Sequence, residues 1–207
     1  MADIKAVIFD LDGTLYDKSR LPFRLIIRQI LRGKLFMLKR ERSARKELKG
    51  IYFGDEAKFE EAFFANFHRK NAKKWFYEAY MPDTIKILQK HYHIAQWVEK
   101  CIADLKTKGI KVAVFSDYGF VEEKLNAIGF NLQWADYLFD APSLGGLKPC
   151  KEGFLEICRT MDVSPKNCIM VGDRDDTDGA GAKDAGMRFQ KINLTDKKHS
   201  SPEIAID

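Results

Sequence analysis

Two aspartates, Asp10 and Asp12, close the apolar run Ile4–Phe9 and lead directly into Gly13 and Thr14. Side-chain alternation along an extended chain turns both carboxylates toward one crevice, while Leu11 between them points into the core. An ionised carboxylate can attack an electrophile. A second one, two residues on, can protonate a leaving oxygen and later activate water. Gly13 lets the backbone approach an anion closely, and Thr14 offers a hydroxyl at the turn. Matching groups recur further along: Ser116 and Asp117, then Lys148, then Asp173. A nucleophile, an acid/base, a cation and hydroxyl donors are what phosphoryl transfer needs. A carboxylate-rich set without a His/Cys cluster suits a hard cation such as Mg2+ better than zinc.

These groups need strands to hold them. The β-branched run ending at Asp10 reads as a buried strand, and Lys111 to Phe115, Tyr137 to Phe139, Ile169 to Val171 and Arg188 to Ile192 read as four more. Helical spacings fall between them. One carries Ile94, Val98, Ile102 and Leu105, and others cover residues 120–128, 151–161 and 178–185. Strand-helix alternation predicts an α/β fold, a parallel sheet covered on both faces. In such sheets ligands sit beyond the carboxyl ends of the strands, where the polar residues above are delivered.

Residues 17–91 interrupt the alternation. Arg24, Arg28 and Arg32 recur every four residues, with Phe23, Ile26, Ile27, Ile30 and Leu31 as the apolar side of one helix. Phe59, Phe63, Phe64 and Phe67 mark another, and Gly33, Gly50 and Gly54 mark turns. The segment reads as a helical insertion, a lid between the first and second strands.

Asp10-Leu11-Asp12-Gly13-Thr14, Phe115-Ser116-Asp117, Lys148-Pro149 and Gly172-Asp173 with Asp178 stand in an order that resembles the haloacid dehalogenase superfamily of phosphohydrolases. The resemblance implies a Rossmann-like three-layer α/β/α core over residues 1–16 and 92–207, with an α-helical cap over 17–91, as in phosphoglycolate phosphatase-like members. It implies Asp10 as nucleophile and metal ligand, and Asp12 as acid/base that also gives its backbone carbonyl to Mg2+. Gly13, Thr14, Ser116 and Asp117 would bind the phosphoryl group, and Lys148 would neutralise nucleophile and phosphate. Asp173 would complete the metal ligands, with Asp178 supporting them through water or Lys148. Asp12 places the chain with the phosphatases, because the metal-free dehalogenases lack this second acid. Two positions depart from the pattern: Asp117 stands where Asn is usual, adding a negative charge beside phosphate, and Cys150 follows Lys148-Pro149.

The expected activity is Mg2+-dependent hydrolysis of a small phosphorylated metabolite through an aspartyl-phosphate. Alternatives are a sugar phosphomutase of the same superfamily and a non-catalytic binding or regulatory module. A phospho-receiver fits poorly, since its phosphorylated aspartate follows the third strand.

The chain has 207 residues, 45% hydrophobic and 31% charged, enough apolar material for a core. No secretory signal or membrane-length apolar stretch is evident, so a cytoplasmic monomer or homodimer is expected. Cys101, Cys150, Cys158 and Cys168 are far apart in sequence and read as reduced, buried thiols. Net charge is +5, concentrated in twelve Lys and Arg between Lys18 and Lys49 against Glu41 and Glu47. This block reads first as a solvated helix face and otherwise as a site for an anionic partner or substrate, and no nucleic-acid partner is expected. Asp175 and Asp176 read as loop acids, His91 and His93 as a structural or solvent-facing pair, and Asp17 as a plain loop acid, a hinge or a substrate contact. The residues from Asp196 onward read as a frayed polar tail.

Overall fold

The computed structural model describes residues 3–194 and 204–206. Five parallel strands form one sheet in the order β3-β2-β1-β4-β5. They are β1 (Ala6–Asp10), β2 (Lys111–Ser116), β3 (Tyr137–Asp140), β4 (Cys168–Gly172) and β5 (Arg188–Lys191). All of β1 and β4 is buried, as expected for central parallel strands covered on both faces. β1 lies between β2 and β4, with Asp10 opposite Phe115 and Phe9 opposite Val171. That register brings Asp10, Ser116 and Asp173 to the carboxyl end of three adjacent strands. The fold is the predicted Rossmann-like α/β class.

Between β1 and β2 the chain forms α1 (Leu21–Leu31), α2 (Leu35–Leu48), α3 (Glu56–Ala65), α4 (Ala72–Trp75) and α5 (Met81–His91). A π-helical turn, Phe76–Tyr80, joins α4 to α5. Helices α6 (Trp97–Thr107), α7 (Val121–Ala127), α8 (Lys151–Thr160) and α9 (Ala180–Asp184) follow in the remainder of the chain. Residues 175–179, where the sequence predicts loop acids and the start of a helix over 178–185, form a second π-helical turn ahead of α9. Among the described residues, no helix is long and apolar enough to cross a membrane.

The predicted phenylalanine set holds the helical insertion together. The Phe63 ring centroid is 5.8 Å from Phe59, 5.2 Å from Phe67 and 5.5 Å from Phe76. α1 differs from its predicted orientation. It buries Leu21, Leu25 and Gln29, while Phe23, Ile27, Ile30 and Leu31 are exposed. The cause is Asp83, a buried carboxylate on α5 that needs counter-ions. Arg28 Nε donates to its Oδ1 at 3.0 Å, and Arg32 Nε and Nη2 reach Oδ2 and Oδ1 at 2.5 and 2.9 Å. Gln29 Nε2 lies 3.5 Å from Oδ2, and Gln29 Oε1 accepts from Trp75 Nε1 at 3.1 Å. Two arginines read as a solvated face are therefore structural partners of a buried acid.

Other details follow the sequence more closely. All four cysteines are free; Cys101 is only half-buried, and the Cys158 and Cys168 sulfurs lie 3.4 Å apart. Asp176 pairs with Arg174 and Lys49, and Asp175 with Lys191, as exposed acids of the π-helical turn ahead of α9. Of the expected tail, residues 196–203 and 207 lie outside the described residues. Ile204 is buried, and the Ala205 N–H donates to Gln190 Oε1 at 2.9 Å.

Candidate active site

Asp10 is the last residue of β1, and its two carboxylate oxygens have separate partners. Thr14 Oγ1 donates to Oδ2 at 3.0 Å, and Lys148 Nζ donates to Oδ1 at 2.7 Å. Lys148 also donates to Asp178 Oδ1 at 2.7 Å and to the Phe115 carbonyl at 3.0 Å. Its ammonium is buried between two strand ends with three acceptors. Burial alone would lower its pKa, but Asp10 and Asp178 outweigh this and hold it far above the ordinary lysine value. Burial raises the Asp10 pKa, helped by the charges of Asp178 and Asp12 and opposed by Lys148.

Asp12 sits in a different field. Tyr16 Oη donates to Oδ1 at 2.5 Å, and the Lys124 ammonium bonds Oδ2. Burial works against the charged form, but Lys124 and Tyr16 prevail and hold Asp12 below the usual carboxylate value. Lys124 comes from α7, is fully buried, and also lies 3.3 Å from Ser116 Oγ. Ser116 Oγ in turn stands 3.5 Å from Asp12 Oδ2 and accepts the Tyr118 N–H at 3.1 Å.

The chain turns at Gly13 with φ of +98°, a conformation that favours glycine. A Cβ there would stand 2.5 Å from Asp173 Oδ2. Gly172 is equally constrained, since a Cβ would meet the Asp178 carboxylate at 2.6 Å. Oxygens of Asp10, Asp173 and Asp178 all lie within 4.8 Å of one another. The Lys18 ammonium bonds the Asp12 carbonyl and lies 2.7 Å from Asp173 Oδ2. A positive charge is thus already held by the backbone oxygen of Asp12 and the side chain of Asp173. The donor set is all oxygen and anionic, which fits a hard divalent cation.

Asp117 has two structural tasks. Its Oδ1 accepts the Lys148 N–H at 2.9 Å, and its carbonyl accepts Arg45 Nη1 at 2.9 Å. The extra negative charge of this unusual residue is therefore turned toward the Lys148 backbone. Arg45, from α2, also pairs with buried Glu41 and lies 3.4 Å above the Tyr118 ring. A cavity of about 470 Å3 opens over these groups. Its lining includes the carboxylates Asp10, Asp12 and Asp173 and, from the helices between β1 and β2, Leu21, Leu25, Arg42 and Met81.

The profile of the haloacid dehalogenase-like hydrolase family matches residues 4–186. The chain belongs to this family. A provisionally named pyrophosphatase, PpaX, of Clostridium perfringens is 28% identical over 212 residues, covering 99% of this chain and 93% of that protein. Glyceraldehyde 3-phosphate phosphatase of Methanothermobacter thermautotrophicus is 27% identical over 203 residues, covering 92% of this chain and 86% of that one. The solved structure of β-phosphoglucomutase from Clostridium difficile shares the fold, with a TM-score of 0.63 at 20% identity. That match covers 96% of this chain and 88% of the other.

Within this haloacid dehalogenase-like frame, the catalytic, phosphate-binding and metal-binding candidates from the sequence gather at one end of the sheet. Asp10, Asp12, Ser116, Lys148, Asp173 and Asp178 are linked through the contacts above. Sequence reasoning missed Lys124, Tyr16 and Lys18. Lys124 follows Glu122 and Glu123 in a short helix, where a lysine reads as solvent-facing, and only the packing of α7 buries it. Tyr16 and Lys18 carried a usable signal, lying four and six residues beyond Asp12.

Proposed function

We propose that this chain is a Mg2+-dependent phosphatase that hydrolyses a small phosphomonoester through an aspartyl-phosphate on Asp10. The observation that carries the reading is the buried Lys148, bonded to Asp10 at 2.7 Å beside the carboxylates of Asp173 and Asp178. The phosphatases among its relatives support the same class of reaction.

In this reading an oxygen of Asp10 attacks phosphorus, and the P–O bond to the leaving group breaks. Asp12 delivers a proton to the leaving oxygen, then takes one from the water that cleaves the acyl phosphate. Thr14 and Lys148 fix the two oxygens of Asp10, so the nucleophile is aimed before substrate arrives. Ser116 and the backbone around Gly13 hold phosphoryl oxygens. The side chains of Asp10 and Asp173 and the carbonyl of Asp12 would hold Mg2+, which supplies positive charge against the phosphate.

We further assign residues 17–91 as a cap and residues 1–16 and 92–207 as the catalytic core. Side chains of α1, α2 and α5 lining the cavity support that division. Such a cap excludes water and selects the leaving group.

A phosphate-release screen over sugar phosphates, nucleotides, phosphorylated acids and pyrophosphate, with Mg2+, tests the proposal. Wild type should release phosphate from at least one ester, and Asp10→Asn should abolish this with the fold intact. Activity near wild type in Asp10→Asn removes the nucleophile assignment. Turnover that requires a bisphosphate activator would point to a mutase instead.

A further inference from the structure

The insertion contributes three charged side chains to the cavity wall, and two of them are already engaged. Lys18 is held by Asp173 and the Asp12 carbonyl, and Glu41 by Arg45. The third, Arg42, has no ion pair or hydrogen bond among the described residues. This sets it apart from the other cations around the site. Arg45 is satisfied by Glu41 and the Asp117 carbonyl, Arg174 by Asp176, Lys124 by Asp12, and Lys148 by Asp10 and Asp178.

Its surroundings on the cap side are largely apolar, with Leu21, Pro22, Leu25 and Met81 forming the wall. The Thr84 hydroxyl there is spent on the Tyr80 carbonyl at 2.8 Å. Beside it, the Tyr80 phenol is the neutral polar group that this wall offers a polyhydroxylated leaving group. An anionic one would find a guanidinium with its full donor fork available.

We propose that Arg42 is a specificity-determining residue that binds a second anionic group, carboxylate or phosphate, at the far end of the leaving group. The inference rests on the phosphatase reading and narrows its substrate to doubly anionic esters. The transferred phosphoryl group lies against Asp10 and Lys148, and the second anion lies against the cap. Arg42 is exposed at the cavity wall, so solvent screens its charge. A fork-shaped cation there discriminates such a ligand from its neutral isostere by about tenfold.

Matched pairs test this without knowledge of the natural substrate. 3-Phosphoglycerate against glycerol 3-phosphate differs by a carboxylate, and glucose 1,6-bisphosphate against glucose 6-phosphate differs by a phosphate. Wild type should favour the doubly anionic member of at least one pair by about tenfold or more in kcat/KM. Which pair shows the preference identifies the second anion. Arg42→Ala should collapse that ratio toward one, chiefly through KM, and Arg42→Lys should restore part of it. A ratio near one in both pairs for wild type overturns the proposal, as does a ratio unchanged in Arg42→Ala.

Should Arg42→Ala fail to fold, Arg42→Gln reads the same ratio. Calorimetric binding of the same pairs to the Mg2+-loaded protein separates this inference from the phosphatase reading. Selective binding that depends on Arg42, without turnover, would sustain the anion site while rejecting the activity. Equal binding of both members would reject the site whatever the turnover.

Discussion

Lys148 Nζ stands 2.7 Å from Asp10 Oδ1 and 2.7 Å from Asp178 Oδ1, with no solvent reaching it. One buried cation thus balances two buried acids, one at the end of β1 and one in the π-helical turn that follows β4. Its N–H is held by Asp117, so the ammonium is positioned from the backbone outward. Lys148→Met should leave both carboxylates uncompensated and cost about 3–5 kcal/mol in urea unfolding, together with all phosphatase activity. Lys148→Met combined with Asp178→Asn should recover part of the stability and none of the activity. Equal stability of wild type and Lys148→Met would show that the pairing is not what holds these acids in the interior.

The Lys124–Asp12 pair makes a prediction with a defined pH sign. Lys124 and Tyr16 hold the folded Asp12 below its ordinary carboxylate value, against the effect of burial. A depressed carboxylate contributes stability that is present above its unfolded pKa and is lost as pH falls through the folded value. Lys124→Met should therefore cost about 1–3 kcal/mol near pH 7. The gap to wild type should close as pH falls below about 4. Thermal unfolding followed from pH 7 down to pH 3 measures this. A difference that stays constant over that range would assign Lys124 to packing rather than to charge.

Asp83 is predicted to act on stability alone. It ties Arg28 and Gln29 of α1, and Arg32 just beyond that helix, to α5, and is not among the residues lining the cavity. Both arginines are partly exposed and can regain water when the acid is removed. The cost of Asp83→Ala in urea should then be only about 1–3 kcal/mol, with kcat per folded molecule within twofold or so of wild type. A large fall in kcat with little loss of stability would mean that α1 reports directly to the site.

The same residue shows where sequence reading reached its end. The sheet was legible because β1 and β4 are continuous β-branched or apolar runs that stop at Asp10 and Gly172. The site was legible because its groups lie immediately beyond those stops. The orientation of α1 was not, since its apolar stripe of Phe23, Ile27, Ile30 and Leu31 is real by spacing and yet faces outward. One buried acid, 51 residues beyond Arg32, decides the matter, and no local pattern announces such a partner. Lys124 was hidden for a related reason. It is 112 residues from Asp12, and a lysine is assigned to solvent until a distant carboxylate claims it.

Lys18 provides the last test. Its ammonium engages the Asp12 carbonyl and, at 2.7 Å, Asp173 Oδ2, two of the oxygens assigned to Mg2+. A lysine and a divalent ion drawn to the same oxygens compete, so occupancy by one weakens the other. Lys18→Met should lower the melting temperature in excess chelator, because Asp173 then loses its counter-charge. Added Mg2+ should raise the melting temperature of Lys18→Met by more than it raises that of wild type, with half-saturation at a lower concentration. The side chain is about one-third exposed, so the displaced ammonium can move into water at little cost. An identical Mg2+ titration in the two proteins would show that Lys18 leaves these oxygens freely and has no part in setting the affinity for the ion.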